Sequence, residues 1–240
     1  MNVKIRINPS PRRTGKPSGT LYLIIKWILA VHLAYILIIA VFALDLRFSN
    51  PDIFALKVYR IVFDGIIPKK QIYVSSKSIR KRYLNMIIGM EDPSFYSHNG
   101  IDIQAIQMAA KFNSRYGGKY LGASTITQQL TRTLVLFPDK LYIRKYLEII
   151  ASITIDAIVP KDRILELYVN YAEWGRGIYG INSASWYYYG KPVTRCNDDE
   201  IIRLITILPS PVRYTPFTFD KRERLRIRYS KLYDIVSEYY

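Results

Sequence analysis

From Leu21 to Leu44 the chain is apolar apart from Lys26, His32 and a few aromatics suited to an interface. Trp27–Leu44 is broken only by His32. At about 1.5 Å of rise per residue, such a helix spans roughly 36 Å, enough for a tilted bilayer crossing. A core helix of that length rarely stays apolar on every side. Val41-Phe42-Ala43 resembles a signal-peptidase site, but the apolar run exceeds the usual ~7–15 residues, so an uncleaved anchor is expected. Residues 1–20 hold Lys4, Arg6, Arg12, Arg13 and Lys16, no acid, three prolines and two glycines. They read as a disordered basic tail. By the positive-inside rule this tail is cytoplasmic and everything from about residue 45 lies across the membrane.

Charge then narrows the partners. Over 240 residues, 35 Lys+Arg against 19 Asp+Glu leave a net +16, and the part beyond residue 45 is still +11. A nucleic-acid role would fit such a balance in a cytoplasmic chain; an exported, tethered basic domain faces anionic lipid or a phosphate-bearing substrate instead. One cysteine, Cys196, excludes an internal disulfide framework, and two histidines leave little for a His-based metal site.

Beyond the anchor, residues 45–70 read as a connecting segment and the rest as mainly helical. Ser78–Met90 places Ile79, Tyr83, Met86, Ile87 and Met90 on one helical face. Ile103–Phe112 follows, then a loop with Gly117, Gly118 and Gly122. Thr125 with Gln128 has capping-box spacing and opens a helix with Ile126, Leu130 and Leu134 inward. Ile143–Ile158, Lys161–Ala172 and Ile201–Leu208 are further helices, the last capped by Asn197 and Glu200. A C-terminal helix puts Leu225, Tyr229, Leu232 and Val236 on one face and its arginines on the other. Short strand pieces are expected only at 70–75 or 190–196. Gly175-x-Gly177-x-x-Gly180 fits a dinucleotide fingerprint, but it follows a helix and lacks a βαβ unit. Ser78-x-x-Lys81 fits a penicillin-binding motif without its partner motifs. Neither carries function.

Chemistry concentrates elsewhere. Glu91 and Asp92 end a helix and are followed by Phe95, His98 and Gly100. Ser124, Thr125, Gln128, Gln129 and Arg132 cluster at a helix N-terminus after a glycine loop, a place that suits a phosphate or sugar. Lys140, Arg144 and Lys145 form a cationic cluster beside Glu148.

In order, Glu91-Asp92-x-x-Phe95-x-x-His98-x-Gly100, Gly122-x-Ser124-Thr125-Ile126-Thr127-Gln128-Gln129-Leu130, Arg144-Lys145-x-x-Glu148, Lys161-x-x-Ile164-Leu165-Glu166-x-Tyr168-x-Asn170 with the three-glycine stretch and Tyr188-Tyr189-Gly190-Lys191, and Leu208-Pro209-x-Pro211-x-x-Tyr214-x-Pro216 resemble the five motifs of the peptidoglycan glycosyltransferases, glycosyltransferase family 51. By length the chain is similar to the monofunctional biosynthetic transglycosylases. The resemblance implies an all-α, lysozyme-like, two-lobed domain over residues 71–240, with the smaller lobe partly embedded in the bilayer surface and one transmembrane helix at 21–44 before it. Length leaves room for that anchor and domain, not for an appended penicillin-binding domain.

The same resemblance implies the reaction. Lipid II is polymerised into β-1,4-linked glycan strands with inversion and release of polyprenyl diphosphate, in cell-wall biosynthesis. Glu91 matches the general base and Glu148 the second catalytic carboxylate, for which an ion pair within its own helical turn is the alternative role. Ser124, Thr125, Gln128, Gln129, Arg132, Lys140, Arg144 and Lys145 are the substrate-binding candidates, with Thr125 also a candidate cap. Asp92, Phe95 and His98 support the Glu91 loop. Arg132 stands where the family usually has Lys, Thr133 where Asn is common and Ser152 where Ala is usual. Tyr116–Leu121 is read as a flap. No cofactor or metal is required, although the diphosphate has room for a divalent cation. The implied partners are lipid II, the growing strand, membrane lipids and other cell-wall synthesis and division proteins, not nucleic acid. The implied place is the bacterial cytoplasmic membrane, with the catalytic domain on its outer, periplasmic side. A membrane-anchored glycan-cleaving enzyme of lysozyme type and a catalytically silent cell-wall scaffold are the rival readings.

Overall fold

Why an apolar N-terminus becomes a single long helix follows from its composition. Gly19–Leu46 contains no proline, and its only glycine is the first residue, so α1 runs unbroken for 28 residues. A computed structural model describes residues 19–118, 121–138 and 142–237; the side chains of residues 236 and 237 are outside that description. Most of the expected basic tail, and Lys140, therefore lie outside the described residues. So do Lys119 and Tyr120 of the expected flap. The chain divides into two units, residues 1–38 and 39–240. In the first, residues 19–38 of α1 are exposed almost throughout, and by length and composition the whole helix can cross a membrane.

The second unit is built of helices: α2 (Ala55–Val62), α3 (Lys81–Glu91), α4 (Ile103–Tyr116), α5 (Ile126–Val135), α6 (Tyr142–Ile158), α7 (Lys161–Tyr171), α8 (Ile181–Tyr189), α9 (Asp198–Ile207) and α10 (Glu223–Ser237). Its fold is mainly helical, as expected. Helix α5 packs against α2, α6 and α7, and α9 against α8 and α10. Ile126, Leu130 and Leu134 all face inward, at most 4% exposed. Ile164 through Tyr171 of α7 is buried except at Glu166, so α7 is the central rod of the domain. Leu225 and Leu232 hold α10 in place.

Two expectations are corrected. Residues 45–70 are not only a connection: α2 forms there. Its Arg60 bonds Asp64 at 2.6 Å and Glu173, 113 residues away, at 2.7 Å. No local window contains that second partner. The expected strands at 70–75 and 190–196 do not form. Segment 70–75 is extended, but side chains take its backbone bonds. Val74 N–H donates to Asn170 Oδ1 at 2.9 Å, Asn170 Nδ2 donates to Val74 O at 2.8 Å, and Ile72 N–H donates to Ser183 Oγ at 2.7 Å. The Asn170 amide thus replaces a neighbouring strand. Residues 193–195 form a 3-10 turn.

The only sheet among the described residues is the hairpin β1 (Glu173–Gly175) and β2 (Ile178–Tyr179), within the three-glycine stretch. This antiparallel hairpin follows α7 and is no dinucleotide loop. Gly180 sits at φ +88°, where an added Cβ would lie 2.7 Å from Asn170 O. Its role is close backbone approach.

Candidate active site

Glu91 is the last residue of α3, and the chain turns sharply after it. Asp92, only 4% exposed, fixes that turn from within. One of its oxygens accepts from the Ile126 N–H at 2.9 Å, and His98 Nε2 lies 2.8 Å from the same oxygen. Asp92 therefore satisfies an orphan donor at the start of α5 and ties α5 to the His98 loop. Phe95 is fully buried beneath that loop, with the Lys161 ammonium 4.7 Å from its ring centre. Gly100 closes the loop at φ +86°; an added Cβ would meet Ser152 O at 2.5 Å. Asp92, Phe95 and His98 thus support the Glu91 turn.

Two side chains hold the Glu91 carboxylate. Gln129 Nε2 donates to one oxygen at 3.1 Å, and Arg228, from α10, forms an ion pair with the other. The Tyr168 hydroxyl donates to Gln129 Oε1 at 2.9 Å, which orients the amide so that its NH2 faces Glu91. Burial first, then the Glu91 charge, pushes the Tyr168 hydroxyl well above the ordinary phenol range, while Arg228 and Arg132 act in the opposite sense. Tyr168 consequently stays protonated and remains a donor. Arg132 is close enough to act electrostatically here and has no hydrogen-bond or ion-pair partner among the described residues.

Thr125 and Gln128 have a different task. The Thr125 side chain accepts from Gln128 N–H at 3.1 Å, and Gln128 Oε1 accepts from Thr125 N–H at 3.1 Å. Both residues are buried, and the Thr125 hydroxyl also donates to Gly100 O at 2.6 Å. The capping box expected at α5 is present, and it occupies these two side chains. Ser124 is half-buried and lines a small pocket of about 70 Å³ with Glu91, Ser94, Asp102 and Thr125.

Glu148 on α6 is completely buried, and Arg144 and Lys145 bond its two oxygens at 2.5 Å each. The ion pair within the helical turn is thus present. One carboxylate against two cations leaves an excess positive charge, with Lys145 more exposed than Arg144. Ser152 Oγ donates to Glu148 O at 2.6 Å and lies 3.1 Å from Thr131 Oγ1. The Thr133 hydroxyl returns to Gln129 O at 3.0 Å. Both unusual residues are accommodated inside helices without a free polar atom.

Sequence reasoning missed Arg228. It left Tyr168 without a role and assigned Gln129 to substrate, whereas Gln129 contacts the carboxylate itself. Tyr168 lies within the fourth motif, so a phenol there was a usable signal. Arg228 carried no comparable signal among Arg222, Arg224 and Arg226.

Residues 61–234, nearly three quarters of the chain, match the transglycosylase family. The chain belongs to that family. This transglycosylase is 33% identical over 212 residues to the biosynthetic peptidoglycan transglycosylase of Xanthomonas oryzae pv. oryzae, covering 85% of this chain and 86% of that protein. It is 36% identical over 174 residues to the protein of the same name from Azoarcus sp. strain BH72, covering 70% and 74%. With the Xanthomonas campestris pv. campestris protein, also of that name, it shares 44% identity over 128 residues. That match covers 53% of this chain and 52% of the relative, so the chain spans about half the length of that curated relative.

Proposed function

We propose that this transglycosylase polymerises lipid II into β-1,4-linked glycan strands in cell-wall synthesis. The observation that carries the proposal is the Glu91 carboxylate, aimed by a Tyr168–Gln129 hydrogen-bond chain and flanked by cations. In the proposed step, the 4-hydroxyl oxygen of the acceptor attacks the anomeric carbon of the donor. The new C–O bond forms as the bond to the diphosphate oxygen breaks. The hydroxyl proton passes to Glu91, and the bonding pair leaves on the diphosphate. One displacement inverts the α-linked donor to a β product. A carboxylate within reach of the hydroxyl suits the proton transfer. The leaving group needs positive charge more than an acid, and Arg132, Arg144 and Lys145 supply it, with Lys140. Glu148 holds Arg144 and Lys145 in register for that task.

No protein-held metal is part of the proposal. Among the described residues no three His, Cys, Asp or Glu converge as a metal site. Helix α1 anchors the enzyme in the bacterial cytoplasmic membrane, with the basic tail inside and the helical domain outside. A lysozyme-type cleaving enzyme needs a carboxylate but not this density of cations.

The test incubates the full chain with lipid II and, separately, with finished glycan. Polymer growth from lipid II with finished glycan intact is expected. Hydrolysis of finished glycan without growth would overturn the proposal.

A further inference from the structure

Next to Glu91, and apart from the Arg144–Lys145 cluster, lies a cavity of about 460 Å³. Met90 and Arg228 form the part adjoining the carboxylate. Arg213, Arg222, Arg224 and Lys231 contribute four more cations, and no lining residue is acidic. So concentrated a positive charge in a concave site favours a multiply charged anion, and arginine forks suit phosphate oxygens.

Arg228 belongs to both places. It lines the cavity, and it forms the ion pair with Glu91. Its side chain is only 12% exposed and that of Glu91 only 10%, so the pair is weakly screened. Arg228 Nε and Nη2 also donate to Ile205 O at 3.3 and 3.2 Å. Those bonds keep the guanidinium anchored to α9, so it can exchange one anionic partner for another while staying in place. In this state the carboxylate meant to receive a proton is neutralised by a cation. The pair occupies one of its oxygens.

We infer that Arg228 is an anion-operated latch: a diphosphate-type anion entering the C-terminal cavity takes Arg228 from Glu91 and leaves that carboxylate held by Gln129 alone. The inference rests on Glu91 being the base of the proposed reaction. It adds that the base is restrained until the cavity is filled, and it makes Arg228 a positioning residue.

Calorimetric titration of inorganic diphosphate into the full chain, in uncharged detergent, tests this. Competition for Arg228 predicts that Glu91→Gln tightens diphosphate binding severalfold and Arg228→Gln weakens it about tenfold. In the double variant, the Glu91→Gln gain is expected to vanish, because it acts through Arg228. Glu223→Gln removes a like charge from the same helix and is expected to change binding less than twofold. Equal tightening by Glu223→Gln, no response to Glu91→Gln, or a gain that persists without Arg228 would overturn the latch. Repeating the titration in phosphatidylglycerol and phosphatidylcholine nanodiscs separates the anion's sources. Equal binding in both is expected, whereas loss of binding in phosphatidylglycerol would assign the cavity to lipid headgroups and overturn the diphosphate assignment. A chain that shows the coupling but never polymerises lipid II would sink the proposed function alone. One that polymerises without the coupling would sink the latch alone.

Discussion

Glu91 takes its orientation from residues far away in sequence. Gln129 is 38 residues on, Tyr168 braces Gln129 from α7, and Arg228 reaches in from α10. The role of each follows from what it can donate. A protonated phenol fixes the Gln129 amide, and the amide then presents its NH2 to the carboxylate. Tyr168→Phe removes one neutral hydrogen bond and no charge, a loss of about 1 kcal/mol. The turnover number for lipid II should fall by up to about tenfold with little change in KM. An unchanged turnover number would show that the phenol does not position the base. Glu91, Asp92, Phe95 and His98 were singled out by their resemblance to a family motif; on their own they read as a capped helix terminus with a satisfied histidine. Arg228 was not singled out. Within an arginine-rich helix, only the tertiary packing of α10 on α9 decides which guanidinium reaches the base.

Among the elements, helix boundaries were legible wherever local chemistry sets them. The start of α5 is an example, because its capping box depends on two residues three apart. Thr125→Ala removes the cap and the bond to Gly100 O, and a loss of about 1–2 kcal/mol in unfolding free energy is expected by denaturant titration. A change below a few tenths would contradict that role. Elements stabilised at long range were not legible: α2 depends on Arg60–Glu173, and segment 70–75 depends on Asn170. Glu166 serves that same segment. Its carboxylate accepts from Ser76 N–H at 2.8 Å, Arg163 at 2.7 Å and Tyr73 at 3.0 Å. Burial opposes ionisation, but these bonds outweigh it and pull the carboxyl down to about 2. A folded-state value below the unfolded one stabilises the ionised form. The contribution is full above about 4.5 and is lost as pH falls toward 2. The melting-temperature gap between the parent and Glu166→Gln should therefore be widest near pH 6, narrow below about 4.5 and close only as pH falls through about 2. A gap independent of pH would show that the charge at Glu166 is immaterial.

For the whole molecule, the net charge of +16 divides by location. Five cations precede α1, and most of the rest belong to the helical domain. There some of them pair with carboxylates, at Arg144–Lys145–Glu148 and at Arg228–Glu91. The long apolar helix and the mainly helical class were legible from apolar length and periodicity. The way α3, α5, α7 and α10 converge on one carboxylate was not, because no local pattern encodes a meeting of four helices. The central claim is that Glu91 takes the proton in glycan polymerisation. Its most direct test is the rate of lipid II polymerisation by Glu91→Gln beside the parent chain, both folded and in matched detergent. Removing a general base should lower the rate by about 10²–10⁴-fold with lipid II still bound. Polymerisation at the parental rate would contradict it.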